Sequence, residues 1–588
     1  MKDSLEAVTV SADKGITVSR RDTISSRNTI SLSEALMRTP TLQVNDNGGM
    51  SGLKTVSLRG MGSSHTAIYI DGLKAGNVQS GQNDLGMYDI GDSQIIIDYA
   101  QNSISINTLR PTFDKLPVAG HIRMHGGSFG TYLPSARIDF RLSESISLRT
   151  RASGVFSRGD FPYTYIGNDG TPTRLSRSNN DIARIRGGLD LLGLMKLGSY
   201  HVKAGCNFSD RGTPGSTSWP STDRQKDMNA YLQGTVTTRF SDLYTLRLST
   251  KGSYDDIEYL SEWGDSRYGQ TEIQLNTAHE LRLKQWWKLS IAADFCWDAL
   301  ESDVYDGRRV TSFGAVASTF RFGRLSADIA LEYNMAYDMG GRLRDAVSPS
   351  ANIRFGIIDG LTFSALARRM YRIPTFNELF YPGYGNPELK PEDAWTGSIS
   401  ADFNRSLASG WKITSGLTGF CVDLSQKIIS APTETDPSIW LPYNIGKVRS
   451  AGIDAKAGTS YSSNGWDWGL DASYSWLSST DLTPDSYSYG TQVAYTARHS
   501  LTLGTDLSWK GWSLQAFWRL KSGYCGSAGE MPGWNILDMG LSKEIHIRRV
   551  GTFRLSASAK NITDTRYETV SGYPMYGRSF IGGIEYKF

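Results

Sequence analysis

No stretch of this 588-residue sequence approaches the roughly 20 consecutive apolar residues that a membrane-crossing helix requires. Crossing by β-strands stays open, because a strand needs only about 9–11 residues and alternates its side chains between two faces, so average hydropathy misses it. Cysteine is scarce: Cys206, Cys296, Cys421 and Cys525 are widely scattered with no CxxC pair, which excludes a metal knuckle and any required disulfide framework. Neither sign of charge dominates, with Lys+Arg 62 against Asp+Glu 59, so no nucleic-acid partner is expected. Catalytic signatures are missing as well. There is no G-x-S-x-G, HExxH or P-loop and no nucleophile–base constellation, so enzymatic activity is not expected. The opening MKDSLEAVTV has no apolar secretory core, and the expectation is that numbering starts after signal cleavage.

What the chain does have is glycine and aromatics: 61 Gly, 29 Tyr, 21 Phe and 15 Trp at a mean hydropathy of −0.34. A single large sheet with one apolar face and one wet face has this composition, with glycine at turns and aromatics in interfacial girdles. The C-terminal stretch is the clearest case. Phe580, Gly582, Ile584, Tyr586 and Phe588 share one parity, while Ser579, Glu585 and Lys587 occupy the other. Upstream, Leu501, Leu503, Leu507 and Trp509 alternate with Thr502 and Asp506, a Lys510-Gly511 turn follows, and Trp512, Leu514, Ala516, Trp518 and Leu520 return. Trp468, Leu470, Ala472, Tyr474 and Trp476 repeat the pattern. A soluble sandwich or propeller also alternates. Aromatics recurring at strand ends over hundreds of residues, without a blade-like repeat, favour an all-β transmembrane barrel.

Residues 25 to about 118 lack that rhythm. Ser31 and Glu34 fit a capping box, Leu32, Ala35 and Leu36 give an apolar side, and Pro40 marks a stop. Short strands are expected at 54–58 and 67–70, with turns at 59–62 and Asp71-Gly72. This is a small α+β unit ahead of the barrel.

These residues carry a family resemblance. Leu32-Ser-Glu-Ala-Leu36, Thr39-Pro40, Val56-Ser-Leu-Arg-Gly60 and Ile68-Tyr-Ile-Asp-Gly72 resemble the plug of TonB-dependent outer-membrane receptors. The run Leu5, Glu6, Ala7, Val8, Thr9 and Val10, continuing to Ala12, looks like their TonB box, an extended segment that adds edge-on to a periplasmic energy-coupling protein. Tyr371-Arg-Ile-Pro-Thr-Phe-Asn-Glu-Leu-Phe380, Gly385-Asn-Pro-Glu-Leu-Lys-Pro-Glu392, Asn561-Ile-Thr-Asp564, Tyr567 and Gly577-Arg-Ser-Phe580 resemble barrel motifs of the same family. The resemblance implies a barrel of about 22 antiparallel strands in a Gram-negative outer membrane, with the plug in its lumen. It divides the chain into an extension with the TonB box (1–24), a plug (25–118) and a barrel (119–588). It also implies TonB, with its inner-membrane energising proteins, as partner, binding at Leu5 to Val10. Outer-membrane lipids and a small-molecule nutrient are the other partners, and a surface lipoprotein is a further candidate.

The chain departs from the family after Asp84-Leu85. Where family plugs carry a glycine cluster, this one reads Ile90-Gly-Asp-Ser-Gln-Ile-Ile-Ile-Asp-Tyr99, so this portion is expected to pack differently. Two readings follow: divergence within a working transporter, or a non-transporting barrel that serves as a structural or assembly partner. A passive porin is a third. On the resemblance, ligand would bind plug apex and barrel loops, with candidate contacts at Met61, Ser63, Ser64, His65, Asn77, Gln79, Gln82, Tyr381, Tyr384 and Asn386. Arg59 is expected to bridge plug and barrel carboxylates instead. Arg566-Tyr-Glu-Thr-Val570 and Gly572-Tyr573 look most like the cobalamin-receptor branch, with a ferric siderophore as the other ligand class. Haem fits poorly, because residues 375–385 contain no His to serve as an axial ligand. His121 and His125 are too far apart along a strand to chelate one metal, so no metal site is assigned. Asn168-Asp-Gly170 and Asn179-Asn-Asp181 offer the oxygen ligands calcium takes, although the same residues also stabilise ordinary turns.

Overall fold

The computed structural model describes residues 21–24, 29–91, 93–113, 116–167, 169–408, 410–433, 436, 438–526 and 529–588. The TonB-box residues Leu5, Glu6, Ala7, Val8, Thr9 and Val10 lie outside the described residues, as does Asn168. Twenty-two antiparallel strands close into a barrel, and the last, Ser579–Lys587, pairs with the first, Val118–Gly127. Turns on one rim are two to four residues long, such as 196–197, 285–286 and 510–511. The other rim carries the long segments 158–181, 373–391, 482–498 and 561–578.

Period-two alternation produces this wall. In the strand Gly198–Gly212, Lys203, Asn207 and Arg211 point inward and are buried, while Val202 and Phe208 point outward and are 40% and 50% exposed. The pattern is inside-out relative to a soluble protein. It is stable only where the outer medium is itself apolar. Outward-facing Leu232 and Ile399 continue that band. At the short-turn rim the aromatics stack in pairs, Trp286 with Phe322 at 5.2 Å and Trp466 with Trp509 at 5.0 Å. Tyr333, Tyr337 and Trp395 face outward nearer the other rim. The expected hairpin is present as His499–Trp509 and Trp512–Lys521, with Lys510 and Gly511 both at positive φ in the turn.

The seam depends on the final residue. Phe588 exchanges two backbone hydrogen bonds with Gly120, at 2.9 and 3.0 Å, and its ring packs on Tyr586. Removing Phe588 deletes both bonds and the terminal aromatic. The expected result is a sharp fall in folded barrel, measured as loss of the heat-modifiable band on gels of outer-membrane fractions.

The plug fills the lumen. Its five-stranded sheet runs, in spatial order, Arg21–Ile24, Ser93–Asp98, Ser103–Thr108, Ala67–Ile70 and Leu73–Ala75, beside the pair Leu42–Asp46 and Lys54–Leu58. Arg21–Ile24, assigned to the N-terminal extension from sequence, is therefore an edge strand of this sheet. The short helix Leu32–Leu36 starts at Ser31, whose hydroxyl accepts from the Glu34 N–H; the Glu34 carboxylate reaches the Ile30 N–H and also pairs with Lys560 of the barrel. Leu32, Leu36, Val44, Leu58, Ile95, Ile97 and Ile104 form the plug's apolar core. The segment lacking the family glycines folds as the hairpin Ser93–Asp98 and Ser103–Thr108, with Asn102 taking the left-handed turn position.

Candidate functional site

Ion pairs and backbone contacts fix the plug to the wall. Lys203 reaches Asp71 at 2.8 Å and Arg211 reaches Asp84 at 2.7 Å, both from the strand Gly198–Gly212. Burial pushes the Asp71 carboxyl up, but Lys203 and His201 more than reverse this and hold it below the ordinary carboxylate range. Asp84 is likewise lowered against its burial, by Arg211, Arg184 and Lys54. Arg59 sits 3.7 Å from Asp454 with its guanidinium 4.2 Å over the Phe420 ring, a plug-to-wall contact that lines neither of the two cavities described below.

Towards the long-loop rim the plug loop at 76–83 meets the barrel loop at 373–391. Thr375 caps the helix Phe376–Phe380 in a full capping box with Glu378, which leaves the first helical N–H groups aimed outward. Two of them hold the plug: the Phe376 N–H donates to the Val78 carbonyl at 2.9 Å, and the Asn377 N–H to the Gln79 carbonyl at 3.0 Å. Gln270 accepts from the Val78 N–H at 3.2 Å. Tyr305 donates to the Asn377 side chain at 2.5 Å and packs edge-on against Tyr381.

Beside this junction lies a cavity of about 680 Å³ between plug and wall. Its lining is rich in amides and phenols: Asn77, Gln79, Gln82 and Asn83 from the plug, Asn229 and Gln270 from the wall, and Tyr231, Tyr259, Tyr268 and Tyr381. Several of its charges already have partners, Lys203 with Asp71, Arg211 with Asp84 and Lys251 with Glu272 at 2.5 Å. Such a surface offers donors and acceptors in number, and its charged side chains are of both signs. It suits a polar, largely uncharged ligand.

The structure distributes the ligand candidates unevenly. Asn77, Gln79, Gln82 and Tyr381 line this cavity together. Ser64 and His65 line a second cavity of about 390 Å³, but the His65 side chain is only 4% exposed and engages Glu392, which Arg372 also holds. Met61 is buried against Ala394, Val422, Leu424 and Val448, so it packs plug on wall. Ser63 opens the short 3-10 turn Ser63–His65 and lines neither cavity. Tyr384 bonds Ser430 at 2.8 Å, and the Asn386 side chain donates to the Pro442 carbonyl at 2.9 Å, which braces the loop. In the oxygen-rich loops Asp169 accepts from its own Thr171, Asn179 donates to the carbonyls of Ser221 and Asp223, and Asp181 meets Arg224. Each of these groups bonds to a protein partner in the described structure. The wall residues Tyr259, Tyr268, Asn229 and Gln270 escaped the sequence reading, since inward parity alone does not say which inward residues the plug leaves uncovered.

Comparison with known proteins agrees with this architecture. The description "TonB dependent receptor-like, beta-barrel" matches residues 137–562, and "TonB-dependent Receptor Plug Domain" matches residues 9–96, ending inside the segment that lacks the family glycines. The vitamin B12 transporter BtuB of Photobacterium profundum is 23% identical, over 97% of this chain and 92% of that protein. BtuB of Vibrio vulnificus is 21% identical, over 99% and 94%. Among solved structures, the unliganded ferric citrate transporter FecA superposes with a TM-score of 0.79 at 13% identity, covering 100% of both chains. The copper transporter OprC gives 0.77 at 15%, covering 95% of each. With a closed 22-strand barrel, an occupied lumen and family matches over most of its length, the chain belongs to the TonB-dependent receptors of the Gram-negative outer membrane.

Proposed function

We propose that this receptor imports a corrinoid of the cobalamin type, bound at the long-loop mouth and drawn inward at the expense of the inner-membrane proton gradient. The observation that carries this reading is the amide- and phenol-lined cavity at the plug apex. A corrinoid presents a rim of primary amides around an extended ring, so paired donors and acceptors from Asn77, Gln79, Gln82 and Asn229 complement it. Phenol faces at Tyr268 and Tyr381 supply flat apolar area. Ferric citrate, a ferric catecholate or haem carries concentrated negative charge and would call for an excess of cations, which a lining of mixed sign does not supply. The full-length similarity to two vitamin B12 transporters supports the same reading. The receptor itself does no chemistry; its work is recognition and release.

The test is equilibrium binding of cyanocobalamin to the purified, calcium-free protein, with ferric citrate, a ferric catecholate and haemin as competitors. Saturable cyanocobalamin binding without displacement by the iron compounds supports the reading; displacement, or no binding, refutes it. Tyr381→Ala removes an exposed ring at the cavity lip. It is expected to weaken cyanocobalamin about tenfold, roughly 1.4 kcal/mol, through faster dissociation seen by surface plasmon resonance.

A further inference from the structure

Strand parity and register bring three metal-ligating side chains together in the barrel wall. Cys296 and Asp298 are two apart on the strand Trp287–Ser302 and so share its inward face. Glu272, on the neighbouring strand Ser266–Lys284, is the register partner of Asp298. Opposed residues of an antiparallel pair hold their Cβ atoms about 4.5–5.5 Å apart. One ligand atom from each residue, a thiol sulfur and two carboxylate oxygens, lie within 4.8 Å of one another. Glu272 is 3% exposed and Asp298 7%, so this is not a solvated acidic patch.

Two buried carboxylates side by side are costly unless cations answer them. Glu272 is answered at one oxygen: Lys251 and the Ser253 hydroxyl donate to its Oε1, at 2.5 and 3.5 Å. Its Oε2 faces Gly76 of the plug, where any Cβ would collide with it. Asp298 has less. Its hydrogen-bond partner among the described residues is the Cys296 thiol, at 3.5 Å, and it makes no ion pair among them. Arg309, its register partner on the strand Gly307–Phe322, turns instead to Asp338 at 2.7 Å and lies against the Phe376 ring.

The three residues open on the 390 Å³ cavity, which all of them line. Lys74, Ala75, Gly76, Asn77 and Asn83 line that cavity and the 680 Å³ cavity alike, so the plug stretch 72–83 stands between the three ligands and the mouth. The void has room for an ion and for the water that completes a four-coordinate shell. The donor set selects the ion. Calcium and magnesium take oxygen ligands alone, whereas a thiolate with carboxylates suits zinc and its neighbours.

We propose that Glu272, Cys296 and Asp298 form a binding site for one zinc-type divalent transition-metal ion, set in the barrel wall behind the plug stretch 72–83. On binding, the Cys296 thiol gives its proton to solvent and ligates as thiolate, and the ion supplies the positive charge that Asp298 lacks. The site is independent of the corrinoid reading.

Cadmium, which binds where zinc does and gives an ultraviolet charge-transfer band only with thiolate, is the probe. The parent is purified receptor carrying Cys206→Ser, Cys421→Ser and Cys525→Ser, three exposed positions, so that Cys296 is the remaining thiol. Titration of the parent with Cd²⁺ is expected to saturate at one ion per receptor, with Zn²⁺ competing and Ca²⁺ not. Asp298→Asn keeps the side-chain shape and is expected to weaken Cd²⁺ by roughly 100-fold, the upper end of what even outer-shell losses cost a metal site. Cys296→Ser is expected to abolish the band. No band in the parent, displacement by Ca²⁺, or unchanged affinity in Asp298→Asn overturns the proposal. Should either variant fail to fold, the parent decides alone, through its stoichiometry and the Zn²⁺ competition.

Discussion

Deleting residues 5–12 is expected to reduce cyanocobalamin uptake to the level of cells lacking the receptor, while equilibrium binding stays unchanged. The separation of the two readouts has a structural reason. The mouth cavity is formed by the plug loop at 76–83 and the wall, and every group that lines it lies at residue 53 or beyond. The deleted segment precedes the edge strand Arg21–Ile24, which pairs with Ser93–Asp98 and is fixed by Arg21 to Asp98 at 3.0 Å and by Asp22 to Lys456 at 2.6 Å. Those pairs keep the plug sheet intact without the segment. What is lost is the segment read from sequence as the TonB box, which an energy-coupling partner is expected to take up by edge pairing. With the lumen filled by a packed plug, uptake is expected to depend on that pull. Uptake that survives the deletion would point to a passive pore and sink the energised mechanism.

The second large effect is expected from Asp71→Asn. The Asp71 carboxylate is 1% exposed, receives the Thr108 N–H at 2.6 Å and its hydroxyl at 2.9 Å, and meets Lys203 at 2.8 Å. An amide leaves the buried ammonium without its counter-charge, and breaking a buried pair in this way costs about 3–5 kcal/mol. The plug should loosen from the wall, measured as faster trypsin cleavage of the plug in purified receptor and as entry of large antibiotics into cells. Asp71→Asn combined with Lys203→Met removes both charges and should recover most of the loss. The sign of the pH effect follows from the lowered carboxyl. A depressed folded value means the contribution is complete above the unfolded value, about 3.9, and is lost only as pH falls through the lower folded one. Wild-type plug retention should thus be flat from neutral pH to about 4 and fail below it, while the variant is leaky throughout. Protection from trypsin in Asp71→Asn equal to wild type would show that the anchor is unimportant.

Much of this architecture is written in local pattern. Alternation in Phe580, Ile584 and Phe588 against Glu585 and Lys587 is enough to make a two-faced strand, because side-chain direction along a strand is fixed by backbone geometry alone. The plug strands Lys54–Leu58 and Ala67–Ile70, the Lys510-Gly511 turn and the Ser31 cap were legible for the same reason: each depends on neighbours within a few residues. The site was legible only in part. Asn77, Gln79, Gln82 and Tyr381 converge on the cavity, but Met61 and His65, drawn from the same motifs, face the wall and Glu392.

The sequence by itself determined that this is an outer-membrane barrel with a plug ahead of it, since periodicity and motif order are one-dimensional properties. The tertiary structure decided which inward polar residues the plug covers and which it leaves to a ligand. It also showed that Arg21–Ile24 belongs to the plug sheet, that the glycine-poor segment still closes as a hairpin, and that residues 72–83 stand between two voids. These follow from contacts between residues up to several hundred positions apart, such as Lys560 with Glu34. Alternation gives every inward residue the same sign, and only the packed lumen tells them apart.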